Sequence, residues 1–343
     1  MAYSDYDKVV FVQTDEPDVQ INGAVWINPD GYDFVYSKSL KRWIHPGSVY
    51  SDPYNRGYIS IDGHDVDELS FSDETRTTED LILNGNPTGY MIGTSSSVRG
   101  YYFGGNDGTN NISTVQKFNF ESSSHQVLGT VIDNLTDYDK FMVGGNSTTH
   151  GYVMTTSKLS KLKHSDESLS KSYADISLGS QFDRIANSRD YMYINEGTTG
   201  FKVIKFSDDD TMLSMGSQSH SNNYNPGAID NKYAGYFAGN ALNPGANVEV
   251  STISKLSFST NSFTLLSATI SQEKGYIQSI NSSLSGYYAA GVHLYGSMIF
   301  YTTIDKFAFS TETCGAMSIT TSDNTANGDA SIDTTYYYRT ISF

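Results

Sequence analysis

Cysteine is almost absent from this chain: Cys314 is the one thiol among 343 residues. An internal disulfide is therefore excluded, and so is a zinc site built from several thiolates. Positive charge is also scarce, with 22 Lys and Arg against 38 Asp and Glu and a net charge of −16. The densest basic stretch, Lys158, Lys161 and Lys163, reads as a solvated, strand-like segment. Such a polyanion repels phosphate backbones and anionic lipid headgroups, so neither nucleic acid nor a membrane surface is an expected partner. Long hydrophobic runs are missing too. Nothing approaches the roughly 18 apolar residues of a spanning helix, and no membrane insertion is expected. The opening residues, Met1 to Asp7, are acidic and polar, without the basic and apolar regions of a secretory leader. The expectation is a soluble chain made in the cytoplasm in reduced form. Four Asn-x-Ser/Thr sequons, at Asn111, Asn134, Asn146 and Asn281, read as chance in a Ser- and Asn-rich chain.

What is abundant points to strands. The chain has 26 Tyr, 17 Phe and 30 Gly, while charged residues make up 17%. Aromatic and β-branched side chains suit a half-buried pleated surface, and Gly with Ser, Thr and Asn supplies turns. One segment recurs: Gly100-Tyr101-Tyr102-Phe103-Gly104-Gly105, Gly235-Tyr236-Phe237-Ala238-Gly239 and Gly286-Tyr287-Tyr288-Ala289-Ala290-Gly291. Weaker copies begin at Gly57, Lys140 and Asp190, and Tyr336-Tyr337-Tyr338 is a last echo. A second segment follows each of the first six copies after a polar turn, best seen in Thr252-Ile253-Ser254-Lys255-Leu256-Ser257-Phe258-Ser259 and Thr303-Ile304-Asp305-Lys306-Phe307-Ala308-Phe309-Ser310. Its last apolar residues stand two apart, the period of a strand with a buried face.

Anchored on the aromatic of the first segment, the copies fall at 58, 101, 141, 191, 236, 287 and 337, at intervals of 40 to 51 residues. That period, with several strands per unit, is the blade length of a propeller. Helical repeats of this length fail, because Gly-Gly pairs break helices and a period of two makes no helical stripe. The chain is expected to be an all-β β-propeller of about six blades, closed by its C-terminal remnant, behind a short N-terminal β extension. A seventh blade, built from that remnant and N-terminal strands, is the alternative. The paired glycines are expected to end inner strands near the axis, where a side chain would collide.

Residues 1–50 do not follow the repeat, so the expected division is 1–50 and 51–343. Both tryptophans lie in the first part. Two short strands around Asn28-Pro29-Asp30-Gly31 would form a hairpin there. The pattern Pro17, Gly23, Trp26, Tyr36 and Trp43 resembles the opening module of tailed-bacteriophage tail-fibre and virion structural proteins. The repeats are similar to the kelch-like Gly-Tyr-Phe-x-Gly-Gly arrays of the same proteins. Lys140 and Asp190 depart from the leading Gly, which makes those two repeats irregular. The resemblance implies a virion protein, tail-associated, whose N-terminal module attaches through these five residues to other tail proteins. It further implies a propeller that faces outward for host-surface glycan or virion-protein contact, and a chain open to homo-oligomerisation.

Residue patterns that could carry chemistry are few. A copper-radical oxidase of kelch type would need Cys314 beside histidine ligands, yet the seven histidines are scattered without ligand spacing. Asp62-Gly63-His64-Asp65-Val66-Asp67 and Asp208-Asp209-Asp210 could hold calcium or act as paired carboxylates. Asp is common in turns, and the solvated-turn reading is preferred. The polar loop His220, Asn222, Asn223, Tyr224 and Asn225 suits sugar recognition, since a tyrosine ring can stack while amides bond hydroxyls. No catalytic residue, metal or cofactor is expected, and binding without enzymatic turnover is the preferred reading. A polysaccharide-degrading enzyme and a ligand-free decoration protein are the alternatives.

Overall fold

A computed structural model of the chain describes residues 10–12, 24–27, 33–37, 42–44, 55–61, 65–79, 89–96, 98–106, 109–131, 143–147, 149–154, 159–172, 184–188, 190–195, 201–215, 226–241, 249–293, 298–323 and 331–333. Every regular element among them is a strand. The chain divides into two compact units, one of 1–53 with 339–343 and one of 54–338.

The first unit holds a four-stranded sheet of Val10–Val12, Val25–Ile27, Asp33–Ser37 and Arg42–Ile44, in that order. Val25–Ile27 and Asp33–Ser37 pair antiparallel, the expected turn at 28–31 lying outside the described residues, while Val10–Val12 pairs in parallel with Val25–Ile27.

The second unit is a six-bladed propeller of four-stranded antiparallel sheets. Blade 1 contains Arg56–Ile61, Asp65–Ser70 and Arg76–Glu79, with Ser331–Asp333 as its innermost strand. Blade 2 is Gly89–Ser95, Arg99–Asn106, Thr114–Asn119 and Ser124–Val131. Blade 3 is Val143–Asn146, His150–Met154, Leu159–Lys163 and Leu169–Ser172. Blade 4 is Arg184–Asn187, Tyr191–Asn195, Phe201–Lys205 and Asp208–Ser214. Blade 5 is Gly227–Asp230, Ala234–Ala241, Glu249–Ser257 and Ser262–Thr269. Blade 6 is Gln278–Asn281, Ser285–Ala289, Thr303–Ala308 and Thr313–Thr320. Each first strand touches those of both neighbouring blades, and Ser331–Asp333 touches blades 6 and 2, so the ring closes. The C-terminal closure thus occurs, but through residues 331–333; the Tyr336–Phe343 remnant lies outside the described residues. Pairing the last strand into the first blade leaves no open inner edge.

Strand pairing corrects the repeat anchors. The equivalent second-strand residues are Tyr58, Tyr101, Tyr152, Tyr193, Tyr236 and Tyr287, facing Glu68, Lys117, Lys161, Val203, Lys255 and Lys306. In blade 3, Gly144-Gly145 belongs to the first strand, and Gly151-Tyr152 is the true counterpart of Gly100-Tyr101. In blade 4 the anchor is Tyr193, two residues past Tyr191. All six tyrosines are buried.

Each tyrosine meets a ring at the end of the next blade's third strand. Tyr58 stacks on Phe120, Tyr101 on His164, Tyr152 on Phe206, Tyr193 on Phe258 and Tyr287 on Phe71, with centroids 4.9–5.9 Å apart. Tyr236 meets Phe309 at 5.6 Å, tilted by 31°. The two recurring sequence segments are therefore the two halves of one blade-to-blade contact, worth about 0.5–1.5 kcal/mol per pair beyond area burial. The residue before the tyrosine is small for the same reason. A Cβ on Gly57, Gly235 or Gly286 would overlap Ile280, Ala186 or Ile229 of the preceding blade's first strand. Blade 4 carries Met192 there, and the preceding first strand supplies the gap with Gly145. Size is exchanged across the seam while the total volume is kept.

Of the paired glycines, Gly144-Gly145 lies in an innermost strand, where a Cβ would overlap Ile92 or Met192 as expected, whereas those that follow the tyrosines lie towards the ends of second strands. Gly239 (φ +69) lies at the end of a second strand, and a Cβ there would overlap Ile277 and the Lys274 carbonyl. Its requirement is close approach of the connection into blade 6, together with a left-handed backbone.

A series of hydrogen bonds runs along the ends of the first strands of blades 2 to 6. The Ser95 N–H donates to Asn146 Oδ1 (2.8 Å) and the Asn146 N–H to Asn187 Oδ1 (3.1 Å). The Asn187 N–H then donates to Asp230 Oδ2 (2.8 Å), and the Asp230 N–H to Asn281 Oδ1 (3.1 Å). Asn146 and Asn281 are two of the sequon asparagines, here engaged in joining blades.

Two predictions follow from this packing. Gly286→Ala should cost about 1–3 kcal/mol by overpacking. Adding Ile229→Ala should return part of that loss, read by denaturant titration of the singles and the double. Asp230 stands where three blades have Asn, and burial raises its pKa to about 7 against the pull of the Asn187 hydrogen bonds. The folded value lies above the unfolded 3.8, so its contribution is full at low pH and is lost as pH rises towards 7. Asp230→Asn should therefore raise the melting temperature at pH about 8 and change it little at pH about 4, checked by thermal melts across that range.

Candidate functional site

Strands alternate in direction, so the connections from second to third strand and from fourth to first emerge on one face of the ring. The other face carries tight turns whose side chains are spent on structure. Glu167, in a turn of blade 3, accepts from Arg99 (2.8 Å), Lys117 (2.9 Å) and the Tyr101 hydroxyl (3.4 Å) of blade 2. Glu312 binds Lys255 and the Tyr236 hydroxyl, Glu74 binds Lys306, and Asn261 accepts from the Tyr193 hydroxyl. These four turn residues have φ between 52 and 58, a left-handed conformation held by the contacts their side chains make with the preceding blade.

The connection face is best described at blades 5 and 6. There the chain between the second and third strands of blade 6 makes its own two-stranded hairpin, Val292–His293 with Ile299–Phe300. Its base is fixed by reciprocal hydrogen bonds between Gly275 and Val292 (2.9 Å each) and by the Tyr301 N–H to the Gly291 carbonyl (2.8 Å). Met298 is 61% exposed, Ile299 45% and Phe300 38%. His293 Nδ1 lies 2.9 Å from Glu249 Oε2, a buried carboxylate reaching from the third strand of blade 5. The result is an apolar finger with an imidazole at its root, oriented by a carboxylate of the neighbouring blade.

Beneath it lies a fully buried ion pair. Lys274 Nζ is 3.2 Å from Asp305 Oδ2, in ion-pair range but off the hydrogen-bonding direction, and donates to Thr303 Oγ1 (3.1 Å) and the Thr303 carbonyl (3.3 Å). Asp305 Oδ1 accepts the Ser271 N–H (2.9 Å). Burial lowers the lysine pKa, while Asp305 opposes the shift. Without access to solvent this lysine serves as a strut that ties the connection from blade 5 to the third strand of blade 6. Asp67 plays the matching part in blade 1, taking Arg76 (3.1 Å), Thr78 (2.8 Å) and the Ser322 N–H (2.6 Å). The solvated-turn reading therefore fails for Asp67. It is buried in a strand because its lone pairs have three donors. Asp208–Ser214 is likewise a strand, the outermost of blade 4. Cys314 faces Phe307, and burial pushes its thiol up to about 12, far from a reactive thiolate.

Of the attachment residues, Trp26, Tyr36 and Trp43 lie in three strands of one sheet. Trp26 is in register with Phe11 and Phe34, and Tyr36 with Trp43. Pro17 and Gly23 lie outside the described residues. So do His220, Asn222, Asn223, Tyr224 and Asn225, which join the fourth strand of blade 4 to the first of blade 5. Sequence reasoning missed Glu249 and His293. The one available signal was the length of the insertion between Ala289 and Thr303, since nothing local links the two residues. Among the described residues no group of three or more His, Cys, Asp or Glu could hold a metal ion.

No family model matches the chain, and no curated protein does. Solved structures do match: 533 chains resemble it, so the architecture is widely shared and by itself selects no activity. One is YjhT, with a TM-score of 0.57 and 15% identity, covering 76% of this chain and 96% of that one. At that identity the likeness is one of fold.

Lys274→Met should lower stability by about 3–5 kcal/mol, because it strands a buried carboxylate. Adding Asp305→Asn should recover part of the loss in equilibrium denaturation.

Proposed function

We propose that this chain is a tail-associated virion structural protein of a tailed bacteriophage, which presents its propeller for contact with host-surface glycan or another virion protein. The observation that carries the reading is how the repeat is used. Its recurring Gly, Tyr, Lys and Phe residues join blade to blade, leaving the connection face as the part free to vary for recognition. The separate four-stranded unit that contains Trp26, Tyr36 and Trp43 supports an attachment module beside the presenting one. The resemblance of both parts to phage virion proteins gives the setting. On the connection face, the finger with Phe300 and the Glu249–His293 pair offers apolar and polar groups side by side, as sugar recognition requires.

Mass spectrometry and immunogold labelling of purified particles test the reading: the chain should label the tail, and its absence from particles overturns the proposal. Deleting residues 1–50 should leave a cooperatively unfolding propeller that no longer joins the particle. Loss of folding in that deletion would assign those residues to the propeller instead. Incubation with host polysaccharide should give saturable binding without release of reducing ends, and sustained release would replace binding by hydrolysis.

A further inference from the structure

Five of the six seams close with tyrosine on phenylalanine, and one closes with tyrosine on histidine. His164 occupies the phenylalanine position of blade 3 in backbone as well as side chain. Its N–H donates to the Thr149 carbonyl (2.9 Å), as those of Phe120, Phe206, Phe258 and Phe309 donate to Val98, Asp190, Tyr233 and Leu284. Its ring lies parallel to that of Tyr101, with an interplanar angle of 1°. Unlike a phenyl ring it carries two nitrogens, and both are buried without a hydrogen-bond partner. Thr94 Oγ1, fully buried in the first strand of blade 2 and packed against Gly151, is unpartnered as well.

The charges around this seam favour a neutral ring. Blade 2 contributes Arg99, Lys117 and the Tyr101 phenol, and blade 3 contributes Glu167, His150 and the outer Lys163–Asp166 pair. Glu167 is already shared by Arg99 and Lys117, and Asp166 by Lys163 and Ser168. His150 has its Nδ1 2.8 Å from Thr149 Oγ1. A proton on His164 therefore adds a cation beside His150, in a stack where neither ring nitrogen has an acceptor in place and the one carboxylate of the seam is already shared.

We propose that His164 makes the seam between blades 2 and 3 an acid-sensitive opening in the ring, closed while the imidazole is neutral and parted when it is protonated. Burial, with a smaller push from His150, lowers the imidazole from 6.5 to about 4. The folded value lies below the unfolded one, so the stabilising contribution is complete above 6.5 and is lost as pH falls towards 4. Over that window the opening equilibrium gains about tenfold per pH unit.

Hydrogen exchange of the full chain, corrected for intrinsic rates, tests this at pH about 7 and about 5. Segments 94–103 and 151–167 should exchange roughly 20-fold faster at the lower pH, while the equivalent Tyr236–Phe309 seam holds. The difference should vanish in His164→Phe, which installs the residue of the other five seams. His164→Leu serves as a second non-titrating variant if the phenyl ring does not fit beside Thr94. Equal acid response at both seams, or a response that persists in these variants, overturns the proposal. So does an imidazole titration by NMR that places His164 at or above 6.5.

Discussion

The stack of a tyrosine from one blade on an aromatic ring of the next is the contact on which the rest of the propeller depends. A single four-stranded blade has two apolar faces and cannot bury either alone. The tyrosine, fully buried in the second strand, lies across the seam, and the ring from the following third strand covers it. Both partners sit where strand gives way to turn. At four of the six seams the turn that follows the ring residue places Glu or Asn on the tyrosine hydroxyl or on the lysine opposite it. At those seams, stacking and a polar contact fall within a few residues of one another, and at three of them the polar contact is an ion pair.

Because the seams are equivalent, each departure from the common solution carries information. Exchange of small and large at Gly145 and Met192 conserves volume, as close packing demands. Asp230 among asparagines and His164 among phenylalanines do something else: each introduces a titratable group whose polar atoms are buried, where the sister residue has none. Burial disfavours the charged form in both, raising the acid and lowering the base, so they respond to pH in opposite directions. The fold is held by contacts indifferent to pH at most seams and sensitive to it at these two.

Seam contacts and longer connections are segregated by face. Tight turns on one side are consumed by seam contacts, whereas the connection face holds the hairpin of blade 6 and the Glu249–His293 pair above the Lys274–Asp305 strut. A buried ion pair is weak support for stability, but here it fixes the connection on which the hairpin is mounted. That rigidity suits a presented surface, since little ordering is left to be done on binding.

The all-β class, a propeller of about six blades and the recurrence of a Gly-Tyr segment followed by a Lys-x-x-Phe segment were legible in the sequence alone, whereas the count of six over seven and the pairing of those segments came from the strand order. Alternation of side chains along a strand is a local property that leaves its period in the chain. The register of blades 3 and 4 was not legible, because Gly144-Gly145 imitates the motif from the wrong strand and Met192 stands where glycine was expected. The separate character of residues 1–50 was legible, yet the strand order around Trp26, Tyr36 and Trp43, with one parallel pair, was not. Only the tertiary structure decided which residues meet: Gly286 with Ile229, Asp67 with Ser322, Asn187 with Asp230, Glu249 with His293. These partners lie on different blades, brought together by closure of the ring through residues 331–333, and no local pattern in a strand records what its neighbour across a seam must be.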